Sequence, residues 1–302
     1  MNFLMTEAEE GIILRCFLTD TLHLSHRTLA ALKRRERGIL LNGEPVTVRA
    51  VLHAYDTLSL CFSDGEDEVN ETVTPVNIPV EILYEDEHIC VCNKPSGMPT
   101  HPSFRHREDT LANALAYRYR DAPFVFRAIN RLDKETSGIV LTARTAFAAA
   151  SLGAAMARGE IEKKYYAVVL GEAPEKGEIH TPIRRRDGSI ILREVCKEGD
   201  TGAEEAHTLF SRIYTDKDFS ILSVTTLTGR THQIRVHMAS IGHALLGDGL
   251  YGNGEGHPRT ALHACRLTFP HPATQELLTI ETGVPLDFAP FAARMALDLG
   301  NL

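Results

Sequence analysis

The order of strand-like and helix-like segments after residue 78 constrains the fold more than any other feature of this sequence. Short apolar runs of strand type follow one another there, and they outnumber helical patterns without a regular alternation of the two. Such an order favours a mixed α+β sheet over a doubly wound parallel sheet. One alanine-rich helix is predicted from Thr145, a capping residue, to Arg158, with Gly159 after its end. The predicted strands span residues 80–84, 89–92, 139–142, 164–170, 205–214 and 219–227.

The beginning of the chain reads as a separate small unit. A helical pattern from Leu24 to Arg37 ends at Gly38, and a strand, an Asn42-Gly43 turn and a returning strand follow. The next stretch is acidic and rich in turn formers, a composition that does not pack well in a core. We therefore predict a small module over residues 1–62, a linker over 63–77 and one larger domain over 78–302.

Composition narrows the classes of protein. The chain has 302 residues, 43% of them hydrophobic, as a globular protein with a sizeable core does. Charged or breaking residues interrupt each apolar run before the ~18 residues of a membrane span, and the N-terminus lacks a secretory layout, so a cytoplasmic protein without membrane contact is predicted. The six cysteines are interpreted as reduced core residues, with Cys90 and Cys92 on one face of a strand.

The formal net charge of −8 argues against indiscriminate nucleic-acid binding, which depends mainly on cations that replace counterions on phosphates. Any RNA contact must then rely on local concentrations of cations. Two such clusters are present. For each cluster, a solvated surface and an RNA contact are equally possible interpretations. They comprise Arg27, Lys33, Arg34, Arg35 and Arg37 near the N-terminus, and the run Arg184-Arg185-Arg186.

Two polar segments about a hundred residues apart carry the densest chemistry. In residues 129–141, Asp133 lies in a polar loop closed by Gly138 between two apolar stretches, where a fold can hold a carboxylate at the rim of a cleft. In residues 227–238, cations and hydrogen-bond donors gather where a helix should begin. The two segments together suggest a carboxylate and its guanidinium partner.

The second segment supports that pairing through its helical spacing. A helix is predicted to begin near Thr231, with Ile234, Met238 and Ile241 as its buried stripe. Arg235 then lies on an adjoining face. A guanidinium stays charged at any working pH and can hold a carboxylate by two parallel bonds.

At these residues the chain resembles a known family, the RluA-type pseudouridine synthases. Their signature reads His-Arg-Leu-Asp, two variable residues, then Thr or Ser, Ser or Gly, and Gly, and it matches residues 130–138 except that Asn130 stands in the place of His. The similarity runs in family order from about residue 80 to about residue 290. Its other matching stretches are residues 93–102, 163–171, 228–237, 246–252 and 262–264.

The resemblance implies the pseudouridine synthase fold, a mixed and mostly antiparallel sheet with a central cleft. It matches Asp133 to the catalytic nucleophile, Arg235 to the arginine that pairs with it, and Tyr165 to the active-site tyrosine. Taken alone, a loop aspartate is usually a turn former or helix cap, and an arginine such as Arg235 can form a mere surface salt bridge. Tyr166 should face the opposite side of the strand, in the core.

Four further side chains are predicted to bind substrate. The resemblance implies that Arg131 fills the gap left by a flipped base or holds phosphate. Arg230, His232 and Gln233 lie at a helix N-terminus, where unpaired backbone donors favour anions. The amide of Asn130 can form hydrogen bonds but cannot titrate near neutrality as histidine does, which puts proton transfer at that position in doubt.

Neither a metal nor a cofactor is expected. His232 and His237 are five residues apart and point about 140° away from each other on a helix with ~3.6 residues per turn, so they cannot chelate an ion together. The glycine-rich stretch 247–254 lacks the lysine of a phosphate loop and is interpreted as a turn that supports the cleft.

The predicted function is isomerisation of uridine in structured RNA, either ribosomal or transfer RNA, by a monomer without an obligate protein partner. The first module resembles a small RNA-binding module of ribosomal proteins. Two alternatives are a non-catalytic RNA-binding or ribosome-assembly factor that retains the fold, and a hydrolase that releases free uracil. The presence of Asp133, Tyr165 and Arg235 together disfavours the first, and detection of free uracil would identify the second.

Overall fold

The computed structural model describes residues 2–22, 24, 26–62, 73–122 and 124–299. Its strands form one large sheet, a smaller N-terminal sheet and a two-stranded hairpin. In chain order the strands are β1 (Asn2–Leu4), β2 (Ile39–Leu41), β3 (Glu44–Pro45), β4 (Thr57–Leu60), β5 (Glu81–Glu85), β6 (Ile89–Lys94), β7 (Ser137–Ala143), β8 (Glu162–Leu170), β9 (Lys176–His180), β10 (Ile183–Arg185), β11 (Arg193–Val195), β12 (His207–Thr215), β13 (Phe219–Thr226), β14 (Leu262–Pro270) and β15 (Leu277–Glu281).

The large sheet has the strand order β5-β6-β7-β14-β8-β13-β12-β9, and β15 pairs with β14. Among the described strands of this sheet, β7 and β14 run parallel and the other neighbours are antiparallel. Gly138 opens β7 with φ +113°, and a Cβ atom there would overlap the backbone of Ala264 in β14. The mixed, mostly antiparallel sheet that the sequence predicts is confirmed.

Helices cover both faces of one half of this sheet. On one face, Leu111 and Leu115 pack against a cluster that includes Val140. On the other, Leu152 packs with Leu141. The helices of the described chain are α1 (Leu14–Cys16), α2 (His26–Arg34), α3 (Leu111–Arg118), α4 (Ala146–Ala157), α5 (Gln233–Ser240) and α6 (Ala289–Leu299).

The predicted alanine-rich helix corresponds to α4. The Thr145 side chain accepts a hydrogen bond from the Ala148 N–H at 3.1 Å, which satisfies one of the free donors at the helix start. The backbone N–H of Gly159 donates to the carbonyl of Met156 just beyond the end of the helix. Local capping chemistry thus sets both ends where the sequence indicates them.

The N-terminal residues form a small sheet of order β1-β4-β2-β3 with α2 beside it. Buried Leu29, Leu32 and Leu58 belong to a core of its own. The helix is shorter than the predicted 24–37, and its polar face exposes Lys33 and Arg34. The side chain of Arg27 lies outside the described part of the chain.

The segment predicted as a linker has two parts. Residues 63–72 lie outside the described residues. The part that follows is tied to α3, because the Asn113 side chain donates to the carbonyl of Thr74 at 2.8 Å and the Val76 N–H donates to the carbonyl of Asn113 at 3.1 Å. Val73 packs against the core of the large domain. The latter part of the predicted linker therefore packs as an extension of that domain.

The cysteines correct one prediction. All six are free, and Cys90 and Cys92 share a face of β6 with their sulfur atoms 3.7 Å apart. Cys16 and Cys61, however, are exposed and Cys196 is only half-buried, so the core assignment was wrong for these three. Cys16 lies on the outer side of the short α1, and Cys61 follows the last residue of β4.

None of the described helices combines the length and the apolar character needed to cross a membrane.

Candidate active site

A cleft of about 770 Å³ opens beside the middle of the large sheet. Its walls come from the turn 99–103, the loop 128–136, the segment 226–235 and strand β8. The structure brings every side chain predicted for the site to this cleft. They are Arg131, Asp133, Tyr165, Arg230, His232, Gln233 and Arg235.

Asp133 is presented by a loop whose backbone is tied to the turn before α3. The Thr100 hydroxyl donates to the carbonyl of Leu132 at 3.0 Å and lies 3.3 Å from the N–H of the same residue. The Gly97 N–H donates to the carbonyl of Lys134 at 2.9 Å. Both neighbours of Asp133 are therefore held, and its side chain faces the cleft with 25% of its surface exposed.

Asn130 extends the strand pairing of this loop. Its side-chain amide donates to the carbonyl of Ile139 at 3.0 Å and accepts from the N–H of Leu141 at 2.8 Å. The residue is buried, so these bonds satisfy both halves of the amide away from water. The Asn130 side chain thus pairs with the backbone of β7 in the way that a peptide group of a neighbouring strand would.

Arg235 joins two carboxylates. Its Nε and Nη2 atoms donate to the two oxygens of Asp248 at 2.7 and 2.8 Å, and its Nη1 atom donates to Asp133 Oδ2 at 3.3 Å. The Arg235 residue is buried, and Asp248 is completely so. The parallel pair of bonds to Asp248 fixes the plane of the guanidinium, which then directs its remaining edge to Asp133.

Asp248 is the fixed partner of this arrangement. Its Oδ1 atom also accepts the N–H groups of Leu250 at 2.9 Å and Tyr251 at 3.2 Å. Burial alone would raise the pKa of Asp248, but the bonds from Arg235 and from these amides hold the pKa below its usual value. Gly247, with φ +69°, brings the turn against the backbone of Arg259, where a Cβ atom would overlap a carbonyl oxygen.

His232 and Tyr251 complete one side of the arginine. His232 has φ +58°, an uncommon conformation outside glycine, and it precedes the first residue of α5. Its Nδ1 atom is 2.8 Å from the Tyr251 hydroxyl, and its Nε2 atom is 3.8 Å from Asp133 Oδ2. The Arg235 guanidinium lies 5.2 Å from the centre of the Tyr251 ring. Burial lowers the pKa of His232, which favours the neutral ring at pH 7.

Lys94 lies completely buried behind the Asp133 loop. Its ammonium group donates to the carbonyls of Pro95 at 2.9 Å, Met98 at 2.7 Å and Lys134 at 3.3 Å. Burial lowers the pKa of Lys94 to about 7, although the charge of Asp133 opposes that shift. The lysine therefore both anchors the loop and contributes to the local field at the carboxylate.

Arg259 binds the far end of the same loop. It donates to both oxygens of Asp287, to the carbonyl of Glu135 at 3.0 Å and to the Ser137 hydroxyl at 2.9 Å. Its Nη1 atom also donates to the carbonyl of Leu262 at 2.8 Å in β14. This buried arginine thereby connects the loop, the start of β7 and the start of β14.

Tyr165 belongs to β8 and its ring forms part of the cleft wall. Only 8% of the residue is exposed, and burial raises the pKa of its phenol to about 12. The hydroxyl therefore stays protonated at neutral pH. Tyr166 points to the opposite side of the sheet, where it packs with a cluster that includes Val168.

Gln233 and Arg230 organise the turn before α5. The Gln233 side chain accepts from the Thr228 hydroxyl at 2.7 Å and from the Arg230 N–H at 2.9 Å, and its amide nitrogen donates to the carbonyl of His207 and the hydroxyl of Thr208, both at 3.0 Å. These four bonds use the full capacity of the amide, so Gln233 holds the turn in shape. Arg230 remains half exposed at the rim and donates to the carbonyl of Glu205 at 2.9 Å.

Arg131 and Lys163 contribute positive charge to the cleft wall. Arg131 is exposed, and within the described residues its guanidinium makes no hydrogen bond or ion pair. Lys163 is buried on β8, with its ammonium 3.5 Å from the carbonyl of Thr228. Arg131 is thus unpaired within the described residues, whereas Lys163 braces the wall.

Helix α5 corrects one detail of the predicted stripe. Ile241 follows the helix and is 40% exposed, so it is not part of the buried stripe, because the helix ends at Ser240.

His237 is fully buried and bonds to the Thr208 hydroxyl and the Thr181 carbonyl, both at 2.9 Å. Within the described residues, no group of three or more His, Cys, Asp or Glu side chains could hold a metal ion.

Comparison with known proteins agrees with this geometry. Residues 88–240 match the family described as RNA pseudouridylate synthase. The uncharacterized RNA pseudouridine synthase YjbO of Bacillus subtilis is 38% identical over 272 residues, 89% of this chain and 94% of that protein. Ribosomal large subunit pseudouridine synthase D of Zymomonas mobilis is 37% identical over 229 residues, 70% and 72% of the two chains.

A solved structure gives the same result at the level of the fold. Human RNA pseudouridylate synthase domain containing 1 superposes with a TM-score of 0.57 and 29% identity, over 70% of this chain and 86% of that one. The fold and the site define the class of enzymes that isomerise uridine in RNA. The chain belongs to the RNA pseudouridylate synthase family, in its RluA-type branch.

Four residues of the site were not identified from the sequence: Lys94, Asp248, Tyr251 and Arg259. Asp248 and Tyr251 lie in or beside a glycine-rich stretch that was interpreted only as a supporting turn. The signal for Asp248 was an acidic residue directly between Gly247 and Gly249. Lys94 lies in a stretch that resembles the family, but no local pattern indicates that its side chain turns inward.

Proposed function

We propose that this protein converts a specific uridine of structured RNA to pseudouridine, with Asp133 as the nucleophile after the uridine has been flipped into the cleft. One observation carries the proposal. A partly exposed carboxylate faces a cleft, 3.3 Å from a guanidinium whose other edge is already bound to a second, buried carboxylate. That arrangement orients Asp133 and leaves its other oxygen open to a substrate.

The reaction conserves every atom of the RNA. The bond between C1′ of the ribose and N1 of the uracil breaks, the base turns, and a bond forms between C1′ and C5, while the proton of C5 is released and N1 gains one. Asp133 either adds to C1′ and is displaced when C5 attacks, or removes a ribose proton and returns it. In both routes the carboxylate reacts in its ionised form, and the Arg235 guanidinium lies 3.3 Å from it.

Tyr165 and Arg131 have supporting roles in this proposal. The Tyr165 ring covers one face of the flipped uracil, and its protonated hydroxyl is available as a donor beside the ribose. Flipping a base out of a stack is unfavourable by a few kcal/mol. Arg131, exposed and unpaired within the described chain, fills the gap in the stack or binds an adjacent phosphate.

The RNA of a relative suggests a first substrate. The Zymomonas mobilis relative is a synthase of the large ribosomal subunit, so we propose large-subunit ribosomal RNA, with transfer RNA as the alternative. Action as a cytoplasmic monomer belongs to the same proposal. Gel filtration of the purified protein and fractionation of cells test these two points.

The central experiment uses unmodified transcripts of large-subunit ribosomal RNA and transfer RNA, mapped for pseudouridine after incubation with the protein. Asp133→Asn is expected to abolish product while its affinity for RNA stays within severalfold, because the amide keeps the shape but cannot act as a nucleophile. Asp218→Asn, a change at an exposed aspartate in the turn between β12 and β13, serves as control. Full activity of Asp133→Asn would refute the assignment.

The same assay separates the alternatives. Release of free uracil instead of pseudouridine would identify a hydrolase. Binding without any product would indicate a factor that retains only the fold. Charge reversal at Lys33 and Arg34 in α2 should change site choice or affinity more than the chemical rate if the N-terminal module binds RNA; unchanged affinity and selectivity would remove that role.

A further inference from the structure

An exposed phenylalanine stands at the rim of the cleft. Phe104 is 87% exposed, and it directly follows Ser103, which lines the cleft. Ser103 and His106 pair through backbone bonds of 2.8 and 3.1 Å, so Phe104 and Arg105 form the tip of a two-residue turn. We call residues 103–106 the Phe104 hairpin.

The base of this hairpin is anchored. His106 Nδ1 is 2.5 Å from a carboxylate oxygen of Asp109, and the Asn113 side chain donates to the carbonyl of Arg107 at 2.9 Å. On the other side, Thr100 is bonded to Leu132, next to the proposed nucleophile. The tip therefore has a defined position relative to the Asp133 loop.

Exposure alone does not mark Phe104 as functional, because single exposed apolar residues are common on protein surfaces. Leu286 and Leu277 are also exposed, at 94% and 69%. Phe104 differs from them in three respects: it is aromatic, it stands on a fixed turn, and it borders the cleft. Its neighbour Ser103 lines the cleft, so the turn that carries the ring lies beside the entrance.

Three exposed arginines lie on the hairpin, directly after it and on the neighbouring loop. Arg105 and Arg107 are exposed, and within the described residues neither guanidinium makes a hydrogen bond or ion pair. Arg131 is similarly free on the neighbouring loop. Two acids lie nearby: Asp109 is engaged by His106, and Glu108 is exposed. In a chain of net charge −8, free arginines beside an aromatic ring match a polyanion that carries flat bases.

We propose that the Phe104 hairpin is a base-stacking contact for RNA. The Phe104 ring stacks on an unpaired nucleotide next to the flipped uridine, and Arg105 and Arg107 bind the phosphates on either side of that nucleotide. This inference rests on the proposed function, because it places the ring beside the substrate of the same cleft. Stacking tolerates any base, so the hairpin contributes affinity more than sequence choice.

The test uses the full chain and unmodified transcripts of large-subunit ribosomal RNA and transfer RNA. Affinity is measured by filter binding with Asp133→Asn as the background, and kcat and KM are measured by pseudouridine formation with Asp133 intact. Phe104→Ala should weaken binding and raise KM by about 5- to 160-fold, the range for loss of one stacked base. kcat at saturating RNA should change by less than about threefold.

Matched variants separate stacking from other roles. Phe104→Tyr keeps an aromatic face and should bind within about twofold of wild type, whereas Phe104→Leu should resemble Phe104→Ala. Arg105→Gln and Arg107→Gln should each reduce the slope of log affinity against log salt by about 0.7. Leu277→Ala, at an exposed position on β15 away from the cleft, should change nothing.

The outcomes separate the hairpin proposal from the proposed function. If wild type forms pseudouridine but Phe104→Ala binds RNA with unchanged affinity and KM, the hairpin proposal fails and the proposed function stands. If Phe104→Leu binds as wild type does, stacking is refuted, since only apolar volume matters. If wild type forms no pseudouridine, the proposed function fails, while filter binding of the same variants still tests the hairpin.

Discussion

Arg235 and Arg259 are both buried arginines that reach the loop of Asp133, yet the protein uses them differently. Arg259 directs each of its nitrogens to a fixed acceptor: Asp287, three carbonyls and the Ser137 hydroxyl. Arg235 has two fixed bonds, both to Asp248, and its third goes to a carboxylate that is open to the cleft. All donors of Arg259 therefore bind structural acceptors, whereas Nη1 of Arg235 faces the carboxylate in the cleft.

The two carboxylates of Arg235 show the same division. Asp248 is fully buried and receives the shorter bonds plus two backbone N–H groups. Asp133 receives one bond of 3.3 Å and retains contact with solvent. A carboxylate with all its lone pairs occupied is a poor nucleophile, so the looser one is suited to react. The two bonds to Asp248 in turn keep the guanidinium from moving closer to Asp133.

The largest effect is expected for Arg235→Met. This change leaves the buried Asp248 without its counter-charge, which should lower the free energy of unfolding by about 3–5 kcal/mol. Pseudouridine formation should fall by about 100-fold or more, because Asp133 loses its orientation. Urea unfolding and single-turnover assays of the folded fraction measure the two effects.

Arg235→Lys tests whether geometry or charge matters at this position. A lysine keeps the charge but cannot bind two carboxylates with a planar fork, so activity should remain low while part of the stability returns. Activity near that of wild type in Arg235→Lys would contradict the importance of the fixed plane.

Arg259→Met should separate structure from chemistry. Its partner Asp287 has 28% of its side chain exposed, so the loss of unfolding free energy should be about 2–4 kcal/mol, less than for Arg235→Met. The kcat of the folded enzyme should stay within about tenfold of wild type. If kcat falls as far as in Arg235→Met, Arg259 is not purely structural and the proposed difference between the two arginines is refuted.

Lys94 provides a test by pH. Its pKa is about 7 in the folded protein against ~10.4 in an unfolded chain, so between these values the unfolded state binds the additional proton. Stability must then rise with pH in that window, by up to about 1.4 kcal/mol per pH unit. Urea unfolding of wild type and Lys94→Met at pH 8 and 9 should show wild type gaining about that amount relative to the variant.

An unchanged difference between these two proteins at pH 8 and 9 would show that buried Lys94 keeps its charge. In that case its three carbonyl acceptors outweigh the effect of burial on its pKa.

The smallest effect is expected for His232→Gln. Because burial lowers the pKa of His232, its ring is neutral at pH 7 and the change removes no positive charge. Activity should fall by less than about tenfold through loss of the contact with Tyr251. The pH profile of kcat between 6.5 and 8.5 should keep its shape, and a profile that flattens in the variant would assign proton transfer to His232.

Local patterns were sufficient for most of the fold. Apolar runs and helix-capping residues placed β6, β8, β13 and α4 within a few residues, because these signals are visible in the local sequence. Helix α5, which carries Arg235, begins two residues later than predicted. The reason is that His232 takes a left-handed conformation, which its contact with Tyr251 stabilises.

The site was only partly accessible from the sequence. Asp133 and Arg235 could be paired through helical spacing and family resemblance. Arg259 could not, because its role depends on Asp287 and on the carbonyl of Glu135, 124 positions away in the chain. Asp248 could not, because its bonds to Arg235 depend on how the turn after α5 folds back onto that helix. The four bonds of Gln233 were also beyond reach, since each uses an acceptor or donor placed by the folded turn.

The central place of β14 has a consequence for biosynthesis. This late strand inserts between β7 and β8, and Asp287, the partner of Arg259, comes later still. Until these residues have been synthesised, the growing chain has a gap between β7 and β8 and lacks the contacts that complete the Asp133 loop. The full set of Arg259 contacts that hold the Asp133 loop can therefore form only after Asp287 has been synthesised.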